Sequence, residues 1–201
     1  MNKLLIGIFI AVVLFGWKFP LLGYVVPVVM AAGIGFGVFR GRYVCGNLCP
    51  RGAFLGTVLP LLSRNRPVPA VLFRLTFRWT VFALLMGFMA LRLWRGPLTV
   101  AHVGVILWQM CVLTSALAVA LALIWGPRSW CAMCPMGTAQ RALGGGKSVP
   151  RIDESLCKKC ALCEAACPLN LPLVRPAQDK SLDDCMQCGK CAAACPAKAV
   201  K

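Results

Sequence analysis

The sequence predicts an all-α membrane part of four transmembrane helices, built as a two-fold hairpin repeat, followed by a small α+β cysteine-rich domain. Three observations carry this. Of the 201 residues 59% are hydrophobic, with a mean hydropathy of +0.76, well above the roughly 45–50% apolar share of soluble domains. Charge is unevenly placed: residues 1–150 hold 14 Lys and Arg and no acid, and all six acids (Asp153, Glu154, Glu164, Asp179, Asp183, Asp184) lie after residue 150. Eight of the 13 cysteines fall between Cys157 and Cys195. Disorder, collagen and an ordinary soluble enzyme are excluded by these figures. The predicted division is a membrane domain over 1–143, a Gly-rich linker over 144–150 and a cysteine domain over 151–201.

A membrane span needs about 20 apolar residues. Residues 4–39 form one apolar stretch, interrupted by Lys18 and several Gly and Pro. That is too long for one span and suits two short ones, 3–19 and 21–39, turning near Lys18-Phe19-Pro20. A signal peptide also begins with a basic residue and an apolar run, but no small-x-small cleavage site follows at 17–20. A third span is expected at 76–94 and a fourth at 100–126. The segment between spans two and three carries Arg40, Arg42, Arg51, Arg64, Arg66, Arg74 and Arg78. The positive-inside rule puts it, and both termini, in the cytoplasm of a bacterial or archaeal cell. Trp17 and Trp94 then belong to the outer interface, and Trp79, Trp125 and Trp130 to the inner one. Basic residues at the end of a span face anionic inner-membrane lipid rather than nucleic acid.

Ionisable residues within spans are the default functional candidates, and this half offers almost none. His102 is the single histidine, so paired histidine ligation of a haem is excluded within the chain. A carboxylate proton relay is excluded too. Cys111 stands alone in span four and reads as a small packing residue.

The last eight cysteines carry the strongest signal. Cys157-x2-Cys160-x2-Cys163-x3-Cys167-Pro168 is one run, and Cys185-x2-Cys188-x2-Cys191-x3-Cys195-Pro196 is its copy. This is the bacterial ferredoxin run, in which four thiolates hold a [4Fe–4S] cubane and the fourth cysteine of each run reaches the other cluster. Two clusters are therefore expected, one on Cys157, Cys160, Cys163 and Cys195, the other on Cys185, Cys188, Cys191 and Cys167. The fold expected of the tail is the small α+β bacterial-type two-cluster ferredoxin domain. Its linker, Leu169–Asp184, holds Pro172 and Pro176 and is short enough to keep the clusters close. Zinc is the competing ligand for C-x2-C pairs, and two copies of the full run disfavour it. A reducing cytoplasm disfavours disulfides.

Four more cysteines form a second constellation. Cys45-Gly-Asn-Leu-Cys49-Pro50-Arg-Gly52 follows span two, and Cys131-Ala-Met-Cys134-Pro135-Met-Gly137 follows span four. The grammar repeats with a period of about 85 residues, Pro50 to Pro135. A parallel repeat about an axis along the membrane normal brings the two pairs together. Each proline suits the first position of a helix, placing the preceding cysteine at a helix N-terminus, where thiolate is favoured. A third iron–sulfur or other metal site, a redox-active dithiol and packing thiols are all open readings of Cys45, Cys49, Cys131 and Cys134.

With spans, paired Cys-Pro motifs and a two-cubane tail, the chain resembles the NapH/NosR/CcoG-type membrane ferredoxins over nearly its whole length. It departs in having two residues, not three, between Cys131 and Cys134. The resemblance implies a membrane-anchored iron–sulfur electron carrier. Such a protein links quinol or a membrane partner to a redox partner, as a subunit of an oxidoreductase complex rather than a stand-alone enzyme. The alternative it implies is an electron-donating accessory factor for metalloenzyme assembly or reactivation. A non-redox membrane scaffold is the third reading.

Overall fold

The computed structural model describes residues 2–64, 66–147, 149–174 and 180–200; Pro176 and Asp179 lie outside them. The chain opens with α1 (Asn2–Phe15), and a 3₁₀ turn over Pro20–Tyr24 runs directly into α2 (Val25–Arg40). Two short helices follow, α3 (Tyr43–Asn47) and α4 (Pro50–Thr57), and then the long helices α5 (Leu75–Trp94) and α6 (Val100–Ile124). A second pair of short helices, α7 (Ser129–Met133) and α8 (Pro135–Gly144), repeats the pattern of α3 and α4.

Among the described residues three helical stretches are long and apolar enough to cross a membrane: Pro20–Arg40, α5 and α6. The expected first span, 3–19, is not among them. The 14 residues of α1 rise about 21 Å at 1.5 Å each, short of the roughly 30 Å hydrocarbon core. The reason is local. Pro20 opens the next turn and holds Phe19 outside the helical region, at φ −118° and ψ 86°, as a residue before proline prefers. The expectation of four full spans is corrected to three, with α1 packed beside them against α4 through Phe9 and Phe54, whose ring centres are 5.1 Å apart.

The α+β expectation for the tail is also overturned. Among the described residues the tail holds α9 (Leu162–Ala165), α10 (Lys190–Ala194), a 3₁₀ turn over Lys180–Asp184 and no strand. One isolated antiparallel bridge joins Ile152 and Val200, with the Asp153 N–H donating to Ala199 O at 2.8 Å. The cysteine loops consume the backbone that strands would need. Lys159, Ala161, Asn170, Gln187, Gly189 and Lys198 all have φ between 50° and 71°, a left-handed conformation that breaks a pleat. Lys159 pairs with Gln187, Ala161 with Gly189 and Asn170 with Lys198 at the same 28-residue offset as Cys157 and Cys185. Pro168, Pro172 and Pro196 withhold further N–H groups from any ladder.

The tail is seated on the helical part by one carboxylate. Asp184 Oδ1 accepts from Arg42 Nη1 at 2.7 Å and Arg78 Nη1 at 2.8 Å, and Oδ2 accepts from Arg141 Nη1 at 2.9 Å. Arg42 and Arg78 are 0% exposed and Asp184 is 1% exposed. Beside it, Leu169, Leu171 and Met186 of the tail share one apolar core with Leu55, Leu72, Ala118, Trp130 and Met133. Gln187 donates to Arg40 O at 2.6 Å and Lys147 O at 3.0 Å, and Asn47 donates to Gln187 O at 3.2 Å.

Removing one partner of a buried ionic network costs about 3–5 kcal/mol. Asp184→Asn is therefore expected to release the tail to limited proteolysis while the helical circular dichroism of the remainder persists. A tail equally resistant in the variant would show that the carboxylate does not hold it.

Candidate metal centres

The two membrane-half motifs fold alike. Cys45 lies in α3, and Cys49 caps α4, its Sγ accepting from the Gly52 N–H at 3.4 Å, with Pro50 at the first helical position. Cys131 lies in α7, and Cys134 is the N-cap of α8 ahead of Pro135. The copies are laced together by arginines. Arg42 Nη2 donates to Cys131 O, and Arg128 Nη1 donates to Cys45 O at 3.1 Å. Each arginine stands three residues before the first cysteine of its own motif and binds the first cysteine of the other. Each motif's glycine makes room for the crossing arginine. A Cβ on Gly52 meets Arg128 Nη1 at 3.2 Å, and one on Gly137 meets Arg42 Nη2 at 2.5 Å. The repeated unit is therefore Arg-x2-Cys-x2/3-Cys-Pro-x-Gly. Its arginine was the part that sequence reasoning missed, although its spacing was visible.

Cys45, Cys49, Cys131 and Cys134 line one cavity of about 180 Å³, together with Cys111, Arg51 and Trp130. Cys111, expected as a packing residue, thus stands at the same cavity. Trp130, expected at the membrane interface, is 2% exposed. Cys45 Sγ donates to Gln140 Oε1 at 2.9 Å, and the amide is oriented by its Nε2 donating to Gly33 O at 2.9 Å. Arg51 donates to Thr114 Oγ1 at 2.7 Å, comes within 4.0 Å of Cys134 Sγ and lies 5.7 Å over the Trp130 ring. Burial pushes the Cys45 thiol well above its ordinary range, with Arg42 pulling the other way, and raises Cys131 likewise against Arg128. His102 stands in the first turn of α6 and lines none of the three cavities described here.

Two further cavities lie in the tail. One of about 310 Å³ is lined by Cys167, Cys185, Cys188 and Cys191. A tighter one of about 20 Å³ is lined by Cys157, Cys160, Cys163 and Cys195. The structure thus gathers the eight tail cysteines into the same two sets of four that the spacing groups. Burial raises the Cys185 thiol to about 11, opposed by the Gln187 N–H, 3.4 Å from its sulfur. Burial raises Cys163, Cys167 and Cys191 in the same direction.

Among the described residues, no three His, Cys, Asp or Glu side chains are close enough to hold one metal ion. A tetrahedral zinc with Zn–S near 2.3 Å requires such closeness; a polynuclear cluster spreads its ligands more widely. The donor chemistry fits a cluster. Each tail cavity offers four thiols, the first cavity offers five with Cys111, and none has a carboxylate in its lining; four thiols are the ligand set of an iron–sulfur cubane. At the first cavity the buried Trp130 Nε1 has no hydrogen-bond partner among the described residues, and a cluster sulfur would accept from it.

Comparison with known proteins agrees with this chemistry. A family model described as a 4Fe-4S binding domain matches residues 22–69 and 107–152, and one described as a 4Fe-4S dicluster domain matches residues 149–196. The first model's two segments begin 85 residues apart, the offset of Pro50 and Pro135. No curated protein and no solved structure shows significant similarity to the chain.

The raised thiols set an expectation for the metal-free protein. Alkylation with iodoacetamide near neutral pH should mark exposed Cys160 first and Cys45 last. The rate at Cys45 should keep rising with pH, because its thiol stays protonated longer. Equal labelling of Cys45 and Cys160, read by mass spectrometry, would contradict the burial of the first cavity. Cysteine-lined cavities without carboxylates and two matching kinds of 4Fe-4S domain make this chain an iron–sulfur, ferredoxin-like protein.

Proposed function

We propose that the chain is a membrane-anchored electron carrier with two [4Fe–4S] clusters in its tail and a third iron–sulfur centre on Cys45, Cys49, Cys131 and Cys134. One observation supports this reading: three cavities, one in the helical part and two in the tail, each have at least four cysteines in their walls. Iron–sulfur clusters supply one-electron storage, at potentials tuned by burial and by hydrogen bonds to sulfur.

The protein's own residues set the order of the sites. Gly46, beside Cys45, and Met186, beside Cys185, touch so closely that a Cβ on Gly46 would lie 2.0 Å from Met186 O. Arg128 spans the same gap, reaching Cys45 O at 3.1 Å and Met186 Sδ at 3.8 Å. The Cys167/Cys185/Cys188/Cys191 set is therefore the inner tail site. The other set belongs to a separate small core of Cys163, Leu173 and Val200, packed by Ile152, Val174, Leu182, Cys191 and Cys195.

In this reading the basic 40–78 segment and the tail face the cytoplasm, and electrons enter from quinol or from a membrane partner. Residues 1–150 contain no carboxylate, so quinol protons would leave through a partner chain or solvent. The accessory-factor reading would use the extra cysteine pairs, Cys45 with Cys49 and Cys131 with Cys134. Cys45 and Cys131 are half-buried and their thiols are held protonated by desolvation, which disfavours direct reaction of those thiols with an outside target.

Iron per chain tests the count. Anaerobically purified protein is expected to hold about 12 irons, four per cubane, and Cys131→Ser about 8. About 8 in the unaltered protein would remove the third centre. Gly46→Ala is expected to keep the iron and weaken the spin–spin broadening between the reduced inner sites in electron paramagnetic resonance. Unchanged broadening would refute their proximity.

A further inference from the structure

The charge on the tail is sorted by face. Of its acids, Asp183 and Asp184 are turned onto Arg141, Arg42 and Arg78 at the seat. Glu164 accepts the Val174 N–H at 2.8 Å, and Asp153 accepts from Ser155 Oγ at 2.6 Å. The outer end keeps its bases. Lys158 lines the outer cavity, and Lys159, Lys198 and Arg151 flank its lining residues, all exposed. Glu154 is the one exposed acid among the described residues of the tail. Within this basic rim Leu156 is 49% and Leu162 50% exposed. Between them lies Cys160, the one cysteine of the 13 classed as exposed.

We propose that this tip, Lys158, Lys159, Lys198 and Arg151 around Leu156, Cys160 and Leu162, is the docking face for a soluble redox protein that presents an acidic rim around an apolar centre. The inference rests on the electron-carrier reading and adds the partner's chemistry. An apolar middle inside a charged rim is the anatomy of a transient interface, and complementary charge steers such partners together. The exposed Cys160 puts the outer thiol set at the middle of the contact. Lipid is a poorer occupant, because the tip belongs to the small outer core while the inner tail site packs on the membrane half.

The test uses iron-loaded full-length protein in nanodiscs of uncharged lipid, and two probe carriers of opposite sign: acidic flavodoxin and basic cytochrome c. Binding is read by fluorescence anisotropy, which does not depend on electron transfer. Flavodoxin should bind at low salt, weaken by about tenfold as salt rises through the screening range, and weaken by a similar factor in Arg151→Glu/Lys198→Glu with iron content unchanged. Cytochrome c should bind the variant better than the unaltered protein. The proposal is overturned if flavodoxin binds neither form, if it binds both equally, if cytochrome c is preferred by the unaltered protein, or if the tip engages only phosphatidylglycerol vesicles. The salt titration needs no variant, so a misfolded double variant does not protect the idea. Flavodoxin binding to a protein whose iron centres cannot be reduced would uphold the docking face and refute the electron-carrier reading.

Discussion

The Asp184 carboxylate is the point on which the arrangement of sites depends. It sits one residue before Cys185 and binds arginines from the α2–α3 turn, the start of α5 and α8. Three segments far apart in sequence are thereby referred to a single atom group at the edge of a thiol set. Burying one negative and three positive charges is costly unless the geometry is good and further hydrogen bonds satisfy the groups. Here Arg42 also binds Asp184 O at 3.1 Å and Cys131 O, and Arg78 Nε binds Leu72 O at 3.2 Å. The network therefore fixes both the angle of the tail and the distance between thiol sets. An apolar contact alone would fix neither.

The excess positive charge at this seat makes sense only with the thiols included. Arg51 and Arg128 have no carboxylate within ion-pair distance among the described residues; their neighbours are Cys134, Cys45 and Met186. Burial would lower Arg42, yet negative charge at Cys45, with Asp184, Cys131 and Cys134, outweighs it and holds the guanidinium above its ordinary value. These cations and the half-buried thiols compensate each other when the thiols are ionised, which is the form that binds a cluster. In the acid-free first 150 residues the only ionisable side chains that could supply such counter-charge beside Arg51 and Arg128 are the thiols.

The cysteine sets were legible because short-range spacing dictates them. Two residues between cysteines close a tight loop, and the left-handed positions at Lys159, Ala161, Gln187 and Gly189 are that loop's backbone form. The long spans were legible from hydropathy. The failures have physical reasons. The first apolar run was long enough by composition, but Pro20 ends α1 at Phe15. The described residues of the tail hold no strand because its loops and prolines leave too little extended chain. The arginines were hidden by their own abundance, since the positive-inside rule already accounted for Arg42 and Arg128. Nothing local marks Asp184, whose partners lie 43, 106 and 142 residues away.

The unequal spacing of the two membrane-half motifs then acquires a cause. A strict two-fold repeat presents two equivalent surfaces around its axis, and a single tail can occupy only one. The Arg-to-first-cysteine and second-cysteine-to-Gly intervals are the same in both copies, because both are fixed by the crossed arginines. The difference lies between the cysteines, where the first copy reads Gly46-Asn47-Leu48 and the second Ala132-Met133. Gly46 is where Met186 O comes closest, and Asn47 bonds Gln187 O. In the second copy Ala132 and Met133 are buried in the shared apolar core. The extra residue sits where the tail's inner loop is received, so symmetry is kept around the thiols and broken at the surface that selects one docking side.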